Sequence, residues 1–320
     1  MRGRILYGIL GVVLAAGTVL TGSYGLSERN MDIYKEALSL QKQVDELGFD
    51  GFSLADYKVR CYDGSYDYVL SISNGKAVKE KEKSVLQAFV GTAYEIDGEY
   101  QVIVPSVERF QEMISALRFG AGGDLTAFSD SEYGSEEQVA TIWHEATHAW
   151  QFSRYEKEIL NRVKAKDSDS RGSLGEVIAN DVDSNPKVVS FYEQELEILK
   201  KAVLVRSIDD KKAYVLQYKK LEEERRHLLS EKVVSAEEYY ENVEGMAYYL
   251  ESKVYEMEKG TDAYSRQYLD AIGTYTEGTH KYYTIGMAKC LLLDALQEDW
   301  KAGFDFSESL SELLYESIEQ

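Results

Sequence analysis

The chain has 320 residues, 44% of them apolar, enough to bury a sizeable core in one large domain or two small ones. Its formal net charge of −20 disfavours nucleic acid and anionic lipid head groups as partners. Cys61 and Cys290 are too few for a disulfide framework or a cysteine-built zinc site. They either form one bridge in an oxidising compartment or stay as two separate buried thiols.

Arg2 and Arg4 precede an apolar run from Ile5 to about Leu20. Residues 1–25 therefore read as a signal-anchor or transmembrane segment, with a cleaved signal peptide as the alternative. Thr21-Gly22-Ser23 is a candidate cleavage site, but an uncleaved anchor fits better, and no cysteine follows for a lipoprotein anchor. Arginines before the run and an acidic body after it put the N-terminus inside and the remainder outside. The expected location is the cell membrane, single-pass, with the C-terminal domain extracytoplasmic. Cleavage would make it a secreted protein.

Asn30 is placed to cap a helix that runs to Leu47 and ends at Gly48. The pattern then turns to period two. Tyr57–Tyr62 and Tyr66–Ile72 read as strands joined by an Asp63-Gly64 turn. Asn74-Gly75 is a second turn, and Asp97-Gly98 joins Thr92–Ile96 to Glu99–Val104. Residues 50 to 105 thus read as a small, mostly antiparallel sheet with one short helix near Ser84–Val90. From Ser106 the period is helical, with Phe110, Met113, Ile114 and Leu117 on one stripe. Gly120, Gly122 and Gly123 interrupt it, and Leu125–Phe128 reads as a strand.

Ser135 and Gln138 form a capping-box pattern that opens a helix to about Lys157. Residues 165 to 186 read as a mobile loop. Long helices follow over about 187–205, 208–231, 236–258 and 277–297, with a short one near 307–318. Ser235 and Glu238 form a second box. The mixture of Glu, Lys and Tyr on these helices reads as a solvated face.

The strongest chemical signal is His144-Glu145-Ala146-Thr147-His148. Two histidines four apart on a helix lie about 40° apart around its axis, so both imidazoles reach one ion. Glu145 then sits where it can take a proton from a water that zinc has acidified. Val139, Ile142, Trp143, Ala146, Ala149 and Trp150 give this helix a buried side. A catalytic zinc needs a third protein ligand and an open fourth position. His227 lies in a charged stretch and reads as a surface residue; His280 in Gly-Thr-His stays open. No Gly-x-x-His follows His148, so the three-histidine metzincin pattern is absent.

These residues resemble a gluzincin, the metallopeptidase group whose third ligand is a glutamate on a later helix. Glu244-Gly245-Met246-Ala247-Tyr248-Tyr249 is similar to the Glu-Gly-x-Ala-x-Tyr-like string of bacterial members. The resemblance implies zinc, one per chain, on His144, His148 and Glu244, with Glu241 the next candidate ligand and Glu251 a supporting residue. It departs from the thermolysin-like pattern at Tyr248, where those enzymes carry aspartate. Gly260-Thr261-Asp262 invites an aspartate-ligand reading, but the aspartate follows too closely. The resemblance further implies a substrate-holding edge strand at Asp124–Phe128 and an oxyanion-stabilising tyrosine, for which Tyr283 in Tyr283-Thr284-Ile285-Gly286 is the candidate.

The expectation is an α+β, predominantly helical, zincin-like metallopeptidase domain over 30–320. Its N-terminal α+β part covers 30–133 and its helical part, with the zinc site, 134–320. Its expected activity is zinc-dependent hydrolysis of peptide bonds, with Glu145 as general base and then proton donor. Expected partners are a peptide or protein substrate and the membrane, and no nucleic acid. The alternative is a non-catalytic extracytoplasmic module of the same fold that binds a peptide or cell-wall component.

Overall fold

A computed structural model describes residues 25–49, 51–73, 76–86, 90–120, 133–163 and 174–319. The apolar run 5–20, the Asn74-Gly75 turn and the strand expected at Asp124–Phe128 lie outside the described residues. The chain is α+β, and its described residues fall into two compact units. One is drawn from Met1–Leu47 and Gly51–Ser153, the other from Gly48–Asp50 and Arg154–Gln320. The division comes inside the motif helix rather than at residue 134.

The first unit opens with helices α1 (Glu28–Ser39) and α2 (Gln41–Asp45). Asn30 does not cap α1. It lies buried within it, and its Oδ1 accepts the Val107 N–H at the start of helix α3 (Val107–Gly120), while its Nδ2 donates to Glu108 at 2.7 Å. A residue expected to start one helix thus caps another. Strands β1 (Val59–Tyr62), β2 (Tyr66–Ser73), β3 (Lys76–Lys83), β4 (Thr92–Ile96) and β5 (Glu99–Pro105) form one sheet in the order β3-β2-β1-β5-β4.

The two hairpin turns among the described residues fall where the dipeptides put them. Asp63 Oδ1 accepts the N–H groups of Ser65 and Tyr66, and Asp97-Gly98 takes up positive φ at both residues. The sheet is mixed rather than antiparallel throughout, because β1 pairs with β5 in parallel, Val59 opposite Val102. β1 is buried along its whole length, whereas the Lys- and Glu-rich β3 blunts the outer edge. Of the short helix expected near Ser84–Val90, residues 87–89 lie outside the described residues, while Val85, Leu86 and Val90 are bends.

Helix α4 (Ser135–Arg162) begins in this unit. Its first turn is closed by Glu137, whose carboxylate accepts the Gly134 N–H at 2.9 Å, so the box sits one residue before the expected pair. Gln138 instead donates to the Pro105 carbonyl from a buried position. The helix runs past Lys157 and breaks its regular dihedrals at Tyr155.

The second unit is helical. Leu174–Ile178 (α5) and a π-turn over Ala179–Asp183 occupy part of the expected loop. Asn185 caps α6 (Pro186–Leu204), Ser207 caps α7 (Ile208–Arg226) and Ser230 caps α8 (Glu231–Tyr239). The cap at Ser230 replaces the box expected at Ser235. A π-turn, Tyr240–Glu244, joins α8 to α9 (Gly245–Lys259). After α10 (Thr261–Tyr264) come α11 (His280–Leu296), α12 (Trp300–Gly303) and α13 (Leu310–Glu319).

Two glycines let α11 lie close against the π-turn and the start of α9. A Cβ built on Gly286 of α11 would meet the main chain of the π-turn, 2.7 Å from Gly245 Cα and closer still to Glu241 O. Charged side chains expected on a solvated face lie inside instead: Glu195, Glu222, Glu237, Glu241, Arg225, Lys281 and Lys289 are all buried. Cys61 and Cys290 are free and buried, one in each unit. Among the described residues no helix is long and apolar enough to cross a membrane.

Candidate functional site

The motif lies in the most firmly packed stretch of α4. Val139, Ala140, Ile142, Trp143, Ala146 and Ala149 are essentially fully buried. Trp143 Nε1 donates to the Ala37 carbonyl of α1 at 3.0 Å, and Phe52 packs edge-on against Trp143 and tilted against Trp150. These contacts fix the rotation of the helix about its axis, and with it the direction of the motif side chains. His144, Glu145 and His148 keep 8%, 7% and 7% of their surface, more than the apolar residues around them in the helix core.

The two imidazoles converge. His144 Nε2 and His148 Nε2 are 3.1 Å apart, with the ring planes inclined at 76°. His148 Nδ1 lies 2.9 Å from Gln151 Oε1, and an amide oxygen can only accept. With Oε1 accepting, Nδ1 is the donor of that contact, and Nε2 is the nitrogen turned toward the partner ring. Two nitrogens so placed can share a proton or hold a cation. Four tetrahedral ligands at about 2.0–2.1 Å from zinc stand about 3.3 Å apart, close to the separation seen. Phe152 stacks on the outer side of His148 with 6.1 Å between centroids. The sequence reading missed Gln151. A Gln three residues after a motif histidine is on its helix face, a signal that spacing could have given.

Glu145 has an unusual neighbour in the same unit. A Cβ on Gly91 would lie 2.5 Å from Glu145 Oε1, so the main chain just before β4 closes directly on the carboxylate.

Glu244 belongs to the second unit, as the last residue of the π-turn. Within residues 241–250 it alone is not buried. A π-turn inserts one residue into the helix and shifts the faces on either side of it, which lets the flanking residues pack inward while Glu244 does not. Glu241, the alternative ligand, is committed elsewhere. Its Oε2 accepts from Lys289 Nζ at 2.6 Å, and Lys289 also donates to Glu222 at 3.1 Å and Ser311 at 2.6 Å. Burial works to raise the Glu241 pKa, while Lys289 opposes that rise. Glu222 is held well below the usual glutamate range, because Lys289, Arg226 and Arg225 together outweigh its burial.

Tyr283 is half-buried on α11, in a ring cluster with His280 at 5.5 Å and Tyr248 at 6.2 Å between centroids. Tyr248 is one turn beyond Glu244 on α9, and its burial pushes its hydroxyl pKa far up. Glu251 accepts from Tyr268 at 2.8 Å. His227 and Asp262 are exposed, in keeping with their dismissal as ligands.

Behind this lies a second buried network. Arg225 donates to Glu195 at 2.8 Å and to Glu237 at 2.7 Å, and lies over the Tyr192 ring. The hydroxyls of Tyr192 and Tyr282 both donate to Glu237. One guanidinium between two carboxylates leaves one negative charge in excess. Glu195, without the tyrosine hydroxyls, takes up the difference, and its pKa is pushed up to about 7 by burial.

No protein-family model matches the chain, and neither a curated protein nor a solved structure does.

Proposed function

We propose that the chain is a zinc-dependent hydrolase of peptide bonds, with His144, His148 and Glu244 as ligands and Glu145 as general base. The observation that carries this reading is the convergence of His144 Nε2 and His148 Nε2 to 3.1 Å on a helix that also bears Glu145. For the third donor the reading takes Glu244, the residue at the end of the π-turn that is not buried with its neighbours. Two neutral imidazoles and one carboxylate are a donor set suited to zinc.

When bound, such a cation supplies Lewis acidity, lowering the pKa of water and polarising a carbonyl. Glu145 accepts the proton of the attacking water at a carboxylate oxygen and then delivers it to the leaving amine nitrogen, so that acid and base roles fall to one group. Gln151 holds the His148 ring in the tautomer that presents Nε2. Tyr283 is assigned the developing oxyanion, as a hydroxyl donor. In this reading the Ile5–Leu20 run anchors the chain, with its body outside the cytoplasm. Protease added to intact cells digests an exported body and spares an internal one.

The hydrolase reading is tested by incubating purified chain with a mixed peptide library and reading the products by mass spectrometry. Wild type is expected to cleave and Glu145→Gln to lose on the order of 10²–10⁴ in rate, because an amide cannot accept the proton. Equal cleavage by both would overturn the assignment of Glu145. Zinc binding with no cleavage by wild type would favour a peptide-binding module.

A further inference from the structure

We propose that Gly91 is a positioning residue for Glu145: by carrying no side chain, it lets the main chain ahead of β4 lie against the carboxylate and fix its direction. The proposal rests on Glu145 being the general base. An ideal Cβ on Gly91 would fall 2.5 Å from Glu145 Oε1, 2.8 Å from Cγ and 2.9 Å from Cδ. All three are closer than real Cβ contacts come, and all three belong to the same side chain.

Backbone conformation does not explain the glycine. Gly91 is absent from the positive-φ residues, whereas Gly98, in the turn of the same hairpin, has φ +82° and nothing within 4 Å of its would-be Cβ. Gly98 is glycine for its dihedral, and Gly91 is glycine for space.

The walls on both sides are fixed. The strand that follows Gly91 is paired to β5, Thr92 opposite Ile103, and Ile103 is fully buried. Glu145 stands on a helix whose neighbouring Trp143 is hydrogen-bonded to α1. Between two fixed main chains, the free end of the Glu145 side chain is the part that can give. Alanine at position 91 therefore costs little stability and instead turns the carboxylate. Restoring ordinary van der Waals contact takes a shift of roughly 1 Å, and a misplacement of that size costs on the order of 10²-fold in rate.

The test uses the full chain as wild type, Gly91→Ala, Gly98→Ala and the pair Gly91→Ala/Glu145→Asp. Crystal structures of wild type and G91A are compared at Glu145, and kcat and KM are measured on a peptide that wild type cleaves. G91A is expected to keep its zinc content and KM, to lose about 10²-fold in kcat, and to show the carboxylate turned away from position 91. G98A is expected to lose stability through its strained turn and keep kcat.

A Glu145 carboxylate in its original place in G91A, or an unchanged kcat, would overturn the proposal. If wild type cleaves nothing, the hydrolase reading fails, while the two crystal structures still decide whether Gly91 sets the carboxylate. If G91A does not fold, the pair with the shorter Glu145→Asp is expected to fold. Failure of both would show that Gly91 is needed for a reason other than Glu145.

Discussion

Gly286→Ala puts two physical effects against each other. By helix propensity alone, alanine inside α11 should stabilise the chain by about 1 kcal/mol. Packing says the opposite. The added methyl would stand 2.7 Å from Gly245 Cα and 2.9 Å from Glu241 C, and nearer still to Glu241 O. All of these are main-chain atoms, so no side chain can swing aside, and α11 must retreat by about 1 Å from the π-turn. Forcing a methyl into a packed contact costs typically 1–3 kcal/mol, and a backbone clash belongs at the upper end. Against the propensity gain, the net expected loss is about 2 kcal/mol. Urea denaturation followed by far-UV circular dichroism measures it, as a lower midpoint at unchanged slope. The retreat would also loosen the Lys289–Glu241 contact and with it the turn that ends in Glu244. A variant as stable as wild type, or more stable, would refute the close approach of α11 to this turn.

Lys289→Met leaves the buried Glu241 carboxylate without its cation, and such an uncompensated charge costs about 3–5 kcal/mol. Adding Glu241→Gln should recover part of that loss in a double-mutant cycle; a loss below about 1 kcal/mol for the single variant would contradict the buried pair. Stability should also depend on pH through Glu195. Its pKa is raised to about 7 in the folded chain, so its contribution is full below the ordinary value of 4.5 and is lost as pH rises through about 7. Unfolding free energies between pH 5 and 8 should fall more steeply for wild type than for Glu195→Gln, by up to about 1.4 kcal/mol per pH unit. Parallel curves would show that Glu195 is ionised throughout.

What the sequence reveals here is what depends on neighbours along the chain. Asp63-Gly64 and Asp97-Gly98 need only local dihedrals, and both hairpins stand where those dipeptides put them. The motif helix is legible because its spacing and its apolar side coincide. Long-range chemistry is not legible in this way. Asn30 looks like a helix start until Val107 is brought beside it. The charges of α7, α8 and α11 look solvated because charged residues and Tyr are mixed along each of them, and only the assembled unit sets Arg225 against Glu195 and Glu237.

Two further features of the site escaped for the same reason. The π-turn at Tyr240–Glu244 has no sequence signature, yet it sets which glutamate is committed to Lys289 and which is not. Gly91 looks like an ordinary loop glycine until Glu145 stands against it. The parallel pairing of β1 with β5 likewise has no turn dipeptide to announce it.

The central claim is that His144, His148 and Glu244 together hold one divalent cation. Anomalous diffraction from a zinc-loaded crystal, collected on both sides of the zinc absorption edge, tests it most directly. The expected result is one peak per chain, about 2.0–2.1 Å from both Nε2 atoms and about 2.0–2.2 Å from a Glu244 oxygen. No peak at the two histidines, or a peak there whose carboxylate ligand is not Glu244, would contradict it.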